Sequence, residues 1–165
     1  MDILSHGLWG GVTVGRKSRR SFWWAFFFGV APDLFSFGIF FVQRLWGHGF
    51  TFGRPDHLSI PTYVYELYDV THSLVTFAVV FTLVWLFMRR PQWVMLAWPL
   101  HIIMDIFTHS DAFFPTPFLW PLSDYHFSGI SWGNPYIFFP NVALLMLCYW
   151  GWWKWQKKKV MEHLK

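Results

Sequence analysis

The sequence predicts an all-α fold, a polytopic integral membrane helix bundle formed by a single membrane-embedded domain over residues 1–165. The first observation is composition: 55% of the residues are hydrophobic, 24% are aromatic and only 13% are charged. A soluble domain carries about 25% charged residues. The second is that long stretches of the chain contain almost no charge. The same composition excludes a disordered chain, and a single cysteine, Cys148, excludes an intrachain disulfide framework.

Four of these stretches are long enough to cross a bilayer, which takes about 20 mostly apolar residues in a helix. Together they contain two charged residues, Asp33 and Asp105. They predict spanning helices at about 21–43, 72–88, 92–109 and 136–153. A shorter charge-free stretch, 3–15, predicts a fifth helix, inserted or re-entrant, which at about 20 Å is short for a span. Its glycines, Gly7, Gly10 and Gly11, favour close packing against neighbouring helices.

The basic residues predict the orientation. Ten of the thirteen Lys and Arg residues fall in the segments 16–20, 89–90 and 154–159. Alternating crossings bring these segments to one side, which the positive-inside rule identifies as the cytoplasm. The C-terminus is then cytoplasmic, and residues 44–71 and 110–135 form external loops or short surface elements. The net charge of +4 is accordingly a topology signal and predicts membrane lipids, not nucleic acid, as partners. The oligomeric state is left open.

Five ionisable residues fall inside or beside the apolar stretches, where such groups usually face a protein interior or a water-filled cavity. At a rise of ~1.5 Å per residue from the cytoplasmic end of each helix, they lie at similar depths of about 14 to 24 Å. This band is the middle and outer half of a core of about 30 Å. The agreement predicts one shared site that opens toward the external side, formed by His6, Asp33, His72, His101 and Asp105.

The chemistry of these residues favours a divalent metal ion. His101 and Asp105 are four residues apart and therefore share a helix face. Two buried carboxylates repel unless a proton or a cation lies between them. Imidazole and carboxylate without thiolate suit Zn²⁺ first, with Mn²⁺ or Fe²⁺ as alternatives, and Asp33 or Asp105 is the candidate general base. The structural alternative is a buried hydrogen-bond network that only holds the helices together.

Further polar residues form a second tier. For three of them the sequence does not decide between a metal ligand, a general acid and a surface residue: Asp69, His109 and His126. Three others in the first external loop are interpreted as ordinary surface residues, and these are His48, Asp56 and His57.

The order of the motifs resembles a known family. The chain carries "MDILSHGLWGG", "GVAPDLFSF", "YDVTHSLV", "HIIMDIFTH" and "FFPTPFLWPLSDYHFSGISW". From Met1 to about Trp132 this set is similar to the bacterial and archaeal membrane-bound metal-dependent hydrolases, which in turn resemble the zinc-dependent phospholipases C. The resemblance implies a multi-pass protein of the cytoplasmic (inner) membrane of a prokaryote, with the five residues of the shared site at the metal.

One departure from that family bears on the substrate. Many members carry a His-Arg-Gly run before the Thr-His-Ser motif, where this chain has Leu67-Tyr68-Asp69. A basic residue that would hold a substrate phosphate is therefore missing.

Two hypotheses of function follow. The first is a membrane-bound hydrolase, phospholipase C-like, that cleaves a phosphoester of a lipid or other amphiphilic substrate with metal-activated water. The second is a non-enzymatic membrane protein, a metal-ion carrier or assembly factor, that uses the same cluster. The helices carry no ionisable residue in their cytoplasmic halves, which argues against a path through the membrane.

Overall fold

The computed structural model describes residues 1–48 and 55–163, without the side chains of His48, His57 and His163. Within these residues the chain is all-α, which confirms the all-α part of the predicted fold class. The helices are α1 (Ile3–Thr13), α2 (Arg19–His48), α3 (Thr62–Thr71), α4 (Leu74–Met88), α5 (Ala97–Thr108) and α6 (Pro135–His163). Two short 3₁₀ turns are formed by His57–Ser59 and Trp93–Leu96.

The prediction of four spanning helices is not confirmed, although each predicted stretch is largely helical. In the described part of the chain, one helix is long and apolar enough to cross a membrane, over Arg19–Gly47. Helices α3 and α4 meet the same criterion only as one span bent by 61°. Taken alone, α4 has 15 residues and α5 has 12, which is about 22 and 18 Å of helix. Helix α6 has 29 residues but does not meet the criterion. Its sequence mixes aliphatic residues with Trp, Tyr, Pro, Asn and Lys.

Helix α3 lies in a segment that the sequence predicts as a loop or a short surface element. Glu66 and Asp69 interrupt the apolar stretch, so no charge-free run marks the helix. Its buried residues, Val64, Tyr68 and Thr71, nevertheless recur at helical spacing and face the interior. An amphipathic helix of this kind is recognised by its periodicity and not by its mean hydropathy.

The break between α3 and α4 divides the predicted 72–88 helix near its start. The Ser73 side chain accepts hydrogen bonds from the backbone N–H groups of Val75 and Thr76, both at 3.1 Å, and so caps α4. His72 ends α3 and is fully buried. The break therefore places the His72 side chain inside the molecule instead of on a continuous helix.

Helix α1 packs very closely against α2 because both carry glycine at the contact. A Cβ at Gly10 would lie 2.6 Å from the Ala25 carbonyl oxygen, and one at Gly29 would lie 2.5 Å from that of His6. A larger residue at either position would force the backbones apart, so the glycines of α1 and α2 allow the close packing. The His6 side chain is thereby carried into the interior between α2 and α5.

Polar contacts attach the remaining elements. Asn141 of α6 donates to the Ser5 hydroxyl at 2.9 Å and accepts from the Trp9 indole at 2.7 Å. The irregular segment after α5 returns along the end of that helix, where the backbone N–H of Gly129 donates to the His109 carbonyl at 2.7 Å. The lack of helix over 110–134 agrees with the predicted loop.

Candidate metal centre

Four ionisable side chains from three parts of the fold meet in the interior. Asp33 comes from α2, His72 from the break between α3 and α4, and His101 and Asp105 from α5. Each offers one nitrogen or oxygen, and these atoms all lie within 4.8 Å of one another. Four of the five predicted metal residues are thus brought together, and their spacing is that of a group that can hold a metal ion, whereas the fifth, His6, lies outside this group.

The two histidines are oriented by backbone carbonyls. His101 Nδ1 lies 2.7 Å from the carbonyl oxygen of Gly29, and His72 Nδ1 lies 3.2 Å from that of Tyr68. A carbonyl oxygen only accepts hydrogen bonds, so each Nδ1 carries the proton. The neutral ring then presents the lone pair of Nε2 to the centre, which is how a metal-ligating histidine is usually held.

With both rings neutral, the atoms that face one another at the centre are acceptors. The Nε2 atoms of His72 and His101 are 3.0 Å apart. His101 Nε2 lies 3.1 Å from Asp105 Oδ2, and His72 Nε2 lies 3.5 Å from Asp33 Oδ1. Two lone pairs and two carboxylates at these distances repel unless positive charge lies between them.

Burial makes that repulsion severe. His72, His101 and Asp105 are at most 1% exposed, and Asp33 is 9% exposed. Among the described residues, three buried atoms of the centre have no hydrogen-bond partner. These are Asp105 Oδ2 and the two ring nitrogens of His6. Buried polar atoms in native proteins are almost always satisfied. The unsatisfied atoms and the mixed imidazole and carboxylate donors fit a divalent ion such as Zn²⁺.

His6 lies beside Oδ1 of Asp105, the carboxylate oxygen that does not face His101. Its ring stacks on that of His101, with centroids 3.6 Å apart, and its Nε2 is 2.9 Å from Asp105 Oδ1 without the alignment of a hydrogen bond. Asp105 therefore faces imidazoles with both oxygens. The Met1 amino group also contacts Asp105.

Of the second-tier residues, His109 alone reaches the cluster. It follows the last residue of α5, and its Nε2 is 3.5 Å from Asp105 Oδ1. Its Nδ1 lies 2.8 Å from the carbonyl oxygen of Phe114, which orients the ring in the same manner as the two central histidines. His109 is thus an edge residue of the centre, outside the group of four.

The other second-tier residues lie elsewhere. His126 is exposed and pairs with Asp111 at 3.2 Å, and Asp69 is half-buried on α3. Asp56 is exposed, as predicted, and its side chain accepts from the backbone N–H of Leu58. The side chains of His48 and His57 lie outside the described residues.

Tyr68 is a site residue that the sequence does not single out. It is 2% exposed, and its ring stacks on His72 with centroids 3.7 Å apart. Its hydroxyl lies 3.1 Å from both His109 Nδ1 and the Phe114 carbonyl oxygen. The available signal is its position four residues before His72, which places both on one helix face.

Comparison of the chain with protein-family models, with curated proteins and with solved structures finds no match in any of the three.

Proposed function

We propose that this protein is a multi-pass membrane hydrolase that cleaves a phosphoester of an amphiphilic substrate with the help of a divalent metal ion, zinc in the first instance. The observation that carries the proposal is the convergence of two imidazoles and two carboxylates in the buried interior. The resemblance of the motif order to the membrane-bound metal-dependent hydrolases supports the same reading.

The residues of the centre have different roles in this proposal. His72 and His101 are held rigidly by backbone carbonyls and are the metal ligands, with Asp105 between them and His6. A divalent ion bound there would polarise a phosphoryl oxygen and activate water as the nucleophile. Asp33 is the more accessible of the two carboxylates and lines the adjoining cavity. Asp33 is therefore the residue that takes the proton from attacking water.

Exposed apolar surface supports the membrane location. Helix α4 has the sequence "LVTFAVVFTLVWLFM", carries no charge and has no buried residue. Leu83 is 60% and Phe87 is 89% exposed. In water an apolar helix surface of this extent is a liability, whereas in lipid it is the expected surface.

The basic clusters support the orientation with a cytoplasmic C-terminus. They stand at the start of α2, directly after α4 and near the end of α6. Near the end of α6, Lys154 lies over the Trp150 ring at 3.9 Å and Lys157 lies over the Trp153 ring at 4.0 Å. Tryptophan and lysine in such pairs are typical of a membrane interface. With the family resemblance, which implies a prokaryotic source, the proposed location is the inner membrane of a prokaryote.

A screen of lipid phosphoesters tests the function. Protein in detergent or nanodiscs would be assayed for phosphate or headgroup release, with and without chelator, and after Zn²⁺, Mn²⁺ or Fe²⁺ is added back. We expect chelator-sensitive release by the parent protein and by the surface variant His126→Ala, and a loss of at least about 10²-fold in His101→Ala. Metal binding and uptake into proteoliposomes without hydrolysis of any phosphoester would instead identify a carrier.

A further inference from the structure

A cavity of about 580 Å³ adjoins the metal centre. Asp33 and His109 of the centre form part of its wall, together with Asp2 and four aromatic residues, which are Phe37, Phe41, Phe113 and Trp132. The volume lies within the range of small-ligand pockets, about 300 to 1,000 Å³. The cavity therefore has a polar region beside the cluster and a larger apolar region that the hydrolytic chemistry does not use.

One wall is a track along helix α2. Asp33, Phe37 and Phe41 are spaced by four residues, so they lie one turn apart on the same helix face, and all three line the cavity. Each step covers about 6 Å along the axis. The track thus leads from a carboxylate of the cluster to two phenyl rings over about 12 Å.

The facing wall is the irregular segment after α5. Trp132 lines the cavity, and its backbone N–H donates to the Thr108 carbonyl at 2.9 Å. Nearby, a Cβ at Gly129 would lie 2.3 Å from the Phe107 carbonyl oxygen, so this close approach requires glycine. The wall is therefore held to α5 by backbone contacts and keeps the cavity's width.

We propose that this cavity binds one hydrocarbon chain of the substrate, with the phosphoester beside Asp33 and His109 and the chain directed past Phe37 toward Phe41. This assignment rests on the proposed function, because the cluster defines the polar end. The order of groups follows from solvation: a phosphate cannot be buried among phenyl rings without a partner, whereas an alkyl chain can.

Photolabelling tests the assignment without requiring turnover. The parent protein in phosphatidylcholine nanodiscs would be irradiated with dodecyl phosphate that carries a diazirine at the chain terminus, and cross-links would be mapped by mass spectrometry. Unlabelled dodecyl phosphate would serve as competitor. We expect labelling around Phe41 and Trp132 that the competitor abolishes. Labelling on the outer face of α4, at Leu83 and its neighbours, should persist because bulk lipid contacts are not saturable.

A matched pair of variants tests the location. Ser131 lines the cavity, whereas Ser128 lies in the same segment outside the lining. Ser131→Trp should lower the competable labelling by about tenfold, because the added indole ring would overpack the cavity that the bound chain fills. Ser128→Trp should leave the competable labelling unchanged. The proposal is overturned if competable labelling is missing or if both variants behave alike. If the protein hydrolyses a phosphoester but shows no competable labelling, only the proposed chain site is wrong. If it shows competable labelling but neither binds metal nor hydrolyses a phosphoester, the proposed function is wrong.

Discussion

The candidate metal centre and helix α4 are each the reverse of what is usual in a globular protein. At the centre, His72, His101 and Asp105 are ionisable residues with at most 1% exposure. On α4, by contrast, no residue is buried although nearly all are apolar. In water the first region would be costly without a partner, and the second would promote aggregation. Both are explained together if lipid surrounds the helices and a cation lies among the polar residues.

The largest expected effect comes from a charge on the exterior of α4. Leu83→Asp places a carboxylate on a surface that we assign to lipid, where an aspartate costs about 2.5 to 3.5 kcal/mol at the centre of a spanning helix. An exposed position of a soluble protein tolerates such a change within about 0.5 kcal/mol. We expect the membrane-inserted fraction, measured by alkaline extraction, to fall about tenfold or more.

Leu58→Asp is the control for that experiment, because Leu58 is 95% exposed and lies outside the long helices. It should insert like the parent protein. Equal insertion of both variants would show that α4 faces water.

A smaller effect is expected from the contact that positions His6. In Gly29→Ala, the new Cβ would meet the His6 carbonyl oxygen at 2.5 Å. Overpacking costs about 1 to 3 kcal/mol, partly offset by about 1 kcal/mol of helix propensity. The melting temperature should fall by several degrees. Gly47→Ala on the same helix meets nothing within 4 Å and should melt at or above the parent temperature, so matching decreases would contradict the packing described for α1 and α2.

The smallest effect concerns the hydroxyl beside His72. Thr71 Oγ1 lies 3.0 Å from His72 Nδ1, and Thr71→Val removes that contact while the Tyr68 carbonyl remains. Outer contacts of metal ligands contribute about 10- to 100-fold in affinity, and we expect the lower end. Competition with a chelating dye measures the change. Thr82→Val, which removes a hydroxyl bonded to the Ala78 carbonyl on the exposed face of α4, should not alter metal affinity.

Much of the site was predictable because polar residues are rare in this chain. With almost no charge in the long apolar stretches, Asp33 and Asp105 stand out, and helix geometry then places the histidines at the same depth. Four of the five predicted residues form one group in the structure, and the fifth, His6, stacks on His101 beside it. Their role as metal ligands remains a prediction.

Other features depend on tertiary structure and leave weaker signals. Helix α3 lies in a segment predicted only as a loop or a short surface element, because Glu66 and Asp69 divide its apolar residues. The position of His109 at the edge of the centre depends on how the chain turns after α5, because the Phe114 carbonyl there orients its ring. The cavity arises between α2 and a segment distant in sequence, so only the spacing of Asp33, Phe37 and Phe41 hints at it.

The metal content of the purified protein tests the central claim most directly. After equilibration with Zn²⁺ and desalting, elemental analysis should find a near-stoichiometric amount in the parent protein and in His126→Ala, whose substituted residue lies on the surface. The isosteric Asp105→Asn variant should bind markedly less, and the His101→Ala, Asp105→Ala double variant should contain only background metal. Equal metal content in the parent protein and the double variant would contradict the assignment of these residues to a metal centre.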